Sequence, residues 1–534
     1  MLSHVGDAEQ TGAARWWRGG VLYQIYVRSF ADSNADGVGD LPGITSRLDH
    51  LQWLGVDGIW LSPITVSPDD DWGYDVADYC DVQPVLGDLH DLDELITQAR
   101  ARGIRVLIDL VPNHSSDRHH WFVDARTSRR ARHREWYVWA DPREDGSPPN
   151  NWVSIFGGPA WELDTKTGQY YLHNFLSSQP DLNWWNEEVR GAFDEILRFW
   201  LDRGVAGFRI DVAHGIVKDA ELRDNPPAGP DDPEAVRRLG QHQVYNMNRV
   251  EAHDVLCRFR RVSDPYAPNG VLMGETWAPD ITRFAAYFGT GEDELHLAFN
   301  FPYALAPLDA GELRGIVEAT EAAIGAIGWP AWTLSNHDIG RFPSRVCKGD
   351  EKKTRAALLA LLALRGTPVL YFGDEIGMPD TAVGVEQRRD PAGRDGGRTP
   401  MHWNAEAGAG FTEPDVEPWL PLGDASARNV EGQRHDARSL MSLSRDLIAL
   451  RRELPDLREA SYASLPSPSG VWAWRRGESV TVAVNLSEQT AALEGIAGEI
   501  RMGTERARNG ERVGDRLSLG PWEGVIVSSA RTTS

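Results

Sequence analysis

Four apolar runs of this chain end in groups that could do chemistry. In GVAGFRIDVAHGI (204–216), Val205, Phe208 and Ile210 suit a sheet interior, yet Arg209 and Asp211 interrupt the run. Two residues apart on a strand means one face, so a guanidinium and a carboxylate stand side by side. One such pair reads as a structural ion pair. The pattern recurs, however. RVLIDLVPNH supplies Asp109, Asn113 and His114, VLMGETW supplies Glu275, and WTLSNHD supplies Asn336, His337 and Asp338. Carboxylates at four run ends, with histidines at two, point to one shared site.

Two chemistries use such a set. A divalent metal site needs clustered ligands, but His114 and His337 are separate in sequence, with no His-x-x-x-His or cysteine cluster to support them. Cleavage of a glycosidic bond needs two carboxyl groups flanking it, one to attack and one to protonate the leaving oxygen. Asp211 suits the first role, because Arg209 is expected to lower its pKa and orient it. Glu275, between Gly274 and Trp277 in an apolar run, suits the second, because burial is expected to raise a carboxyl pKa.

Eight β-branched and aliphatic runs are available to position these groups: 21–29, 58–63, 105–111, 207–212, 271–277, 294–301, 329–336 and 368–375. Helical patterns lie between them, such as 89–103 and 350–366. Near-continuous apolar strands alternating with helices imply a parallel sheet covered on both faces. About eight units predict an α/β fold of the (β/α)₈ barrel type, with the active site at the C-terminal strand ends. A doubly wound sheet is the alternative, weakened by the lack of a glycine-rich turn after the first strand. Nearly a hundred residues separate the third and fourth runs, rich in Trp, Tyr, Asn and Gly. Long loops in compact domains are usually functional, so this insertion is expected to form a small subdomain over the barrel mouth. After about residue 455 short alternating stretches such as SVTVAVNLS predict an antiparallel β-sandwich. The expected organisation is barrel at 1–112, insertion at 113–180, barrel again at 181–455 and a β domain at 456–534.

Bulk properties narrow the partners. The 534 residues carry 79 acids against 55 bases, a formal charge of −24. Such a surface repels nucleic acid and anionic lipid, so neither is expected as a partner. No apolar run approaches a membrane span. The first twenty residues lack a basic segment followed by an apolar one, so no secretory signal is expected. Cys80, Cys257 and Cys347 are widely spaced and fit a reducing, cytoplasmic setting. The 21 tryptophans are compatible with stacking on sugars, although a large core would also use them.

The ordered motifs DLVPNH (109–114), QPDLN (179–183), GFRIDV (207–212), GETW (274–277) and LSNHD (334–338), with GRDGGRTPMHW (393–403) and PWLPL (418–422), resemble the α-amylase superfamily, glycoside hydrolase family 13. Within it the chain is similar to the α-glucosidase and oligo-1,6-glucosidase group, over nearly its whole length. The resemblance implies Asp211 as nucleophile, Glu275 as acid/base and Asp338 as the group that binds sugar hydroxyls and distorts the ring. It implies that His114 and His337 bond the first-subsite sugar, that Arg209 supports Asp211, and that Asp71 and Tyr74 hold the non-reducing glucose. Arg398 matches a sugar-binding arginine, and Phe156 and Phe175 match stacking residues.

The expected activity is retaining, exo-acting release of α-glucose from short maltose-type α-glucosides. Oligo-1,6-glucosidase is one alternative. Transglycosylation of the sucrose isomerase, trehalose synthase or glucosyltransferase type is another, and a non-catalytic binding protein is a third from a different class. Val212 is a choice the family associates with α-1,6 linkages. His214 stands where the group commonly has Asn, and His402 where it has Gln, so linkage stays open. In DSNADGVGD (32–40), alternating acids and Asn resemble half of a calcium loop, without the EF-hand glutamate. The family likeness implies one structural calcium held by Asp32, Asn34, Asp36, Asp40 and the carbonyl of Val38; a plain Asx-rich turn is the other reading. No organic cofactor is expected, and the chain is read as a monomer or homodimer acting on a small α-glucoside.

Overall fold

A computed structural model describes residues 15–290 and 292–529; the amino-terminal segment read above for a secretion signal lies largely outside them. Eight parallel strands close into a barrel: β1 (Leu22–Ile25), β2 (Gly58–Leu61), β3 (Arg105–Leu110), β4 (Gly207–Ile210), β5 (Val271–Gly274), β6 (Leu297–Phe299), β7 (Pro330–Thr333) and β8 (Thr367–Tyr371). Each pairs with its sequence neighbours, and β8 closes on β1 through Leu22↔Val369. The (β/α)₈ barrel expected from the spacing is therefore the fold.

Most strands are shorter than their apolar runs. The run at 21–29 continues past β1 because Val27–Ser29 is a buried 3₁₀ turn, not because it is paired. β4 stops at Ile210, and Val212 then takes φ +44° and turns the chain across the mouth. At its other end a Cβ on Gly207 would lie 2.2 Å from the Val271 carbonyl oxygen. Only glycine lets β4 and β5 approach this closely.

The helices bury one stripe each. α1 (Leu89–Ala101) begins with a capping box between Asp88 and Asp91 and packs Leu92, Leu95, Ile96 and Ala99 inward. α2 (Glu187–Asp202) is capped by Asn186 and buries Val189, Phe193, Leu197 and Trp200. Between β3 and β4 the chain forms a three-stranded antiparallel sheet (Trp139–Ala140, Gln169–Leu172, Trp161–Asp164) around Trp152, Trp161 and Leu172.

The carboxy-terminal region is a six-stranded antiparallel sheet with a two-stranded sheet beside it. Alternation along β9 (Val471–Arg476) and β10 (Val480–Asn485) sends Trp472, Trp474, Val482 and Val484 to the main core. Val471, Ala473 and Ala483 join a second core with Leu493, Leu517 and Leu519. Two arginines meet at the end of α3 (Glu351–Ala363), Arg451 from the barrel's helix Leu440–Glu453 and Arg476 from this region. Arg451 donates to the carbonyls of Gly19, Leu362, Leu364 and Gly366, and Arg476 to those of Ala363 and Ala460. Cations suit the carbonyl-rich end of a helix. Among the described residues no helix is long and apolar enough to cross a membrane.

Candidate active site

The ends of β3, β4 and β5 meet at Arg209. Its Nη1 lies 2.6 Å from Asp211 Oδ1 and 2.9 Å from Asp109 Oδ1, and its Nη2 lies 2.9 Å from Glu275 Oε2. Register explains the convergence: Asp109 and Met273 both pair with Arg209, so three neighbouring strands deliver their polar ends at one level. Asp109 is further fixed by Trp60 Nε1 at 3.0 Å and by the Tyr74 hydroxyl at 3.2 Å.

Glu275 does not sit in hydrocarbon, as its apolar run suggested. Besides Arg209, it accepts from the Val212 amide and from Trp277 Nε1, each at 2.9 Å. The turn forced by Val212 is what aims that amide inward. Trp277 stacks on Phe301, with centroids 3.8 Å apart, and leaves an aromatic face partly open beside Glu275. His214 faces the Glu275 carbonyl oxygen at 3.2 Å.

Across the mouth, Asp338 Oδ1 is 2.8 Å from Arg394 Nη1 and 3.4 Å from Arg398 Nη2. Arg394 also reaches Asp71 at 2.7 Å and Asp390 at 2.6 Å. His337 Nδ1 accepts from Gln24 Nε2 at 2.8 Å, so Nε2 carries the proton. That nitrogen faces Asp338 Oδ2 at 3.2 Å and the Tyr74 oxygen at 2.5 Å. His114 Nδ1 accepts from Asn113, and its Nε2 donates to the Tyr74 carbonyl at 3.0 Å. Phe175 packs on His114 and on Phe156, which lies beneath Arg394.

Direct contacts thus link Asp71, Tyr74, His114, Phe156, Phe175, Arg209, Asp211, Val212, Glu275, His337, Asp338 and Arg398 into one mouth. Several members were given no role in the sequence reading. Arg394 binds Asp71, Asp338 and Asp390 at once; its one signal is its position four residues before Arg398. Trp277 stands two residues after Glu275. Lys218, buried, holds Asn113, Gly215 and, at 2.9 Å, Asp181. Its ammonium ties the insertion to the ends of β3 and β4.

Burial governs the titration of the site. It raises the Asp211 carboxyl well above its ordinary range; Arg209 pulls down, while Glu275 and Asp109 push further up. This corrects the expectation that Arg209 would hold Asp211 low, because the guanidinium is divided among three carboxylates. Burial also raises Asp109 to about 6 against the pull of Arg209. At Asp338 burial is outweighed by His337, Arg394 and Arg398, and its carboxyl falls below the usual range. Burial keeps both histidines neutral, His114 near 4 and His337 well below 6.5.

The loop at 32–40 turns most of its side chains onto its own backbone. Asp32 accepts from the amides of Asn34, Ala35 and Gly37, Asn34 from Asp36, and Asp36 from Val38. Asp40 accepts from Ser33 and caps the helix Leu41–Ser46 through the Gly43 amide. Among the described residues no three His, Cys, Asp or Glu side chains gather as a metal site.

The catalytic domain of α-amylase matches residues 24–460. A protein described as "Probable alpha-glucosidase" from Rhizobium meliloti (strain 1021) is 42% identical, covering 90% of this chain and 91% of its own. An oligo-1,6-glucosidase of Heyndrickxia coagulans is 37% identical over 90% of this chain and 93% of its own. Among solved structures, the α-glucosyl transfer enzyme XgtA superposes with a TM-score of 0.91 at 41% identity, covering 97% of this chain and 100% of its own. With the barrel, the mouth and these likenesses together, the chain belongs to the α-amylase family and is a glycoside hydrolase of its α-glucosidase group.

Proposed function

We propose that the protein is a retaining exo-α-glucosidase that removes α-glucose from the non-reducing end of short α-glucosides. The observation that carries this reading is the single guanidinium of Arg209 holding both Asp211 and Glu275. Two carboxylates on adjacent nitrogens stand close together, as the covalent route requires. Inverting enzymes space theirs at roughly 6.5–9.5 Å to admit a water.

In the first step an Asp211 oxygen attacks C1 of the terminal glucose as the bond from C1 to the leaving oxygen breaks. Glu275 gives its proton to that oxygen. In the second step Glu275 takes a proton from water, the water oxygen bonds to C1, and the Asp211 ester breaks. Asp338 accepts from sugar hydroxyls while Arg394 keeps it ionised. The Asp71–Arg394 ion pair blocks one end of the mouth, which favours exo action on short chains. Trp277 offers the departing sugar an aromatic face.

Incubation with p-nitrophenyl α-glucoside, maltose, isomaltose, sucrose and trehalose tests the reading. Glucose as main product supports it; no release from any of them removes it. A second reading, glucosyl transfer, is favoured by the likeness to XgtA and predicts lengthened or isomerised sugars with little free glucose. Val212 and His214 border Glu275 on the leaving-group side, so linkage preference is assigned to them, with maltose-type links first and α-1,6 second.

A structural calcium ion is proposed for the 32–40 loop, because its donors are all oxygen, as a hard cation requires. Asp32, Asn34, Asp36 and the Val38 carbonyl would hold it, with Asp40 joining on release of Gly43. Chelation should lower Tm by several degrees, restored by calcium; an unchanged Tm removes the ion from the account. Three unpaired cysteines suit the cytoplasm.

A further inference from the structure

Away from the barrel mouth, a pocket of about 350 Å³ opens between the helix Leu48–Leu54 and the chain after Trp403. No residue that lines it belongs to the active site. Its cations are unusual for a chain of charge −24. Arg47 lies over Trp403, 4.5 Å from the ring centroid, and Arg434 lies at the same distance over Trp53. Arg47 donates one hydrogen bond, to the Gly410 carbonyl, and neither arginine forms an ion pair among the described residues. Burial lowers the Arg47 pKa with no carboxylate to offset it. Arg47 Nε is buried without a partner.

His50 completes the lining and is 5% exposed. Its Nε2 faces Glu375 Oε1 at 3.1 Å, an oxygen that already accepts from the Tyr23 hydroxyl. Nε2 therefore carries the proton, and Nδ1, which has no partner among the described residues, offers a lone pair. Asp49 is paired with Arg102, and Glu431 is the one lining carboxylate without an ion pair among the described residues. Two guanidiniums against one free carboxylate leave the site net positive. The Arg47 guanidinium also covers a face of Trp403, the one lining tryptophan.

From this geometry we infer that the pocket binds a phosphate group, free or as a phosphate ester. Arg47 Nε and the Arg434 guanidinium donate to its oxygens, and His50 Nδ1 accepts from a phosphate or sugar hydroxyl. Sulfate, which has no hydroxyl at neutral pH, binds less well. The inference is independent of the glucosidase reading.

Calorimetric titration of the full-length protein tests it, with the active site saturated by the iminosugar 1-deoxynojirimycin. Inorganic phosphate and α-glucose 1-phosphate are the probes and sulfate is the control. Saturable 1:1 binding of at least one probe, more weakly matched by sulfate, is expected. Loss of one charge-assisted donor in Arg434→Gln should weaken it about tenfold, and Glu431→Gln should strengthen it. Arg47→Gln removes packing on Trp403 and the hydrogen bond to Gly410, whereas Arg434→Gln removes its contact with Trp53 and no hydrogen bond or ion pair among the described residues, so Arg434 carries the test. The tighter probe identifies the source, free phosphate or ester. No saturation up to about 50 mM, binding unchanged in Arg434→Gln, or binding abolished by the iminosugar would overturn the inference.

Discussion

Arg209 and Arg451 are both fully buried guanidiniums, at opposite ends of one barrel, and they differ in what surrounds them. Arg209 is ringed by the carboxylates of Asp109, Asp211 and Glu275. Arg451 meets neutral backbone carbonyls only. Burial without a carboxylate contact pushes the Arg451 pKa down to about 9, still charged at neutral pH. The first surrounding can exchange protons; the second can only hold. Dense titratable charge at the mouth costs stability that chemistry can use, whereas carbonyls at the opposite end turn the same side chain into a tie between barrel elements.

The largest effect expected from this contrast is at Asp211. Asp211→Asn should lower turnover about 10⁴-fold. It should also raise Tm at neutral pH. A carboxyl whose pKa is raised by folding contributes stability below its unfolded pKa and loses it as pH rises through the folded one. The Tm gain should therefore shrink toward about pH 4. A variant that lost activity and stability together at neutral pH would break the contrast.

Arg209→Lys should cost about 10²-fold in kcat/KM, because one ammonium cannot span three carboxylates as a planar fork does. Arg451→Met should do the reverse. It should destabilise by about 3 kcal/mol, read by denaturant unfolding, because buried carbonyls lose their donor, and leave kcat of the folded enzyme unchanged. Val212→Thr should move the ratio of maltose to isomaltose rates only about 3- to 10-fold, since the residue shapes the acceptor side without touching the reacting atoms.

The two regions were also unequally legible. Asp109, Asp211, Glu275 and Asp338 stood out because charge breaks apolar strand runs, and the barrel followed from the count of those runs. The insertion and the carboxy-terminal sheet announced themselves by spacing and by period-two alternation. Arg394, Lys218 and Arg451 left no such trace. Each lies in a loop or on a helix where a basic residue is ordinary, and only the fold brings carboxylates or carbonyls to it. The sign of the Asp211 shift was hidden for the same reason. The neighbouring Arg209 is visible in sequence, but its sharing with Asp109 and Glu275 is made by strand register.

The most direct measurement is the anomer first released from p-nitrophenyl α-glucoside, followed by proton NMR before mutarotation. The account predicts α-glucose, formed by two displacements at C1 through Asp211. β-Glucose as first product would mean a single displacement by water, and the shared-guanidinium reading of Asp211 and Glu275 would be wrong.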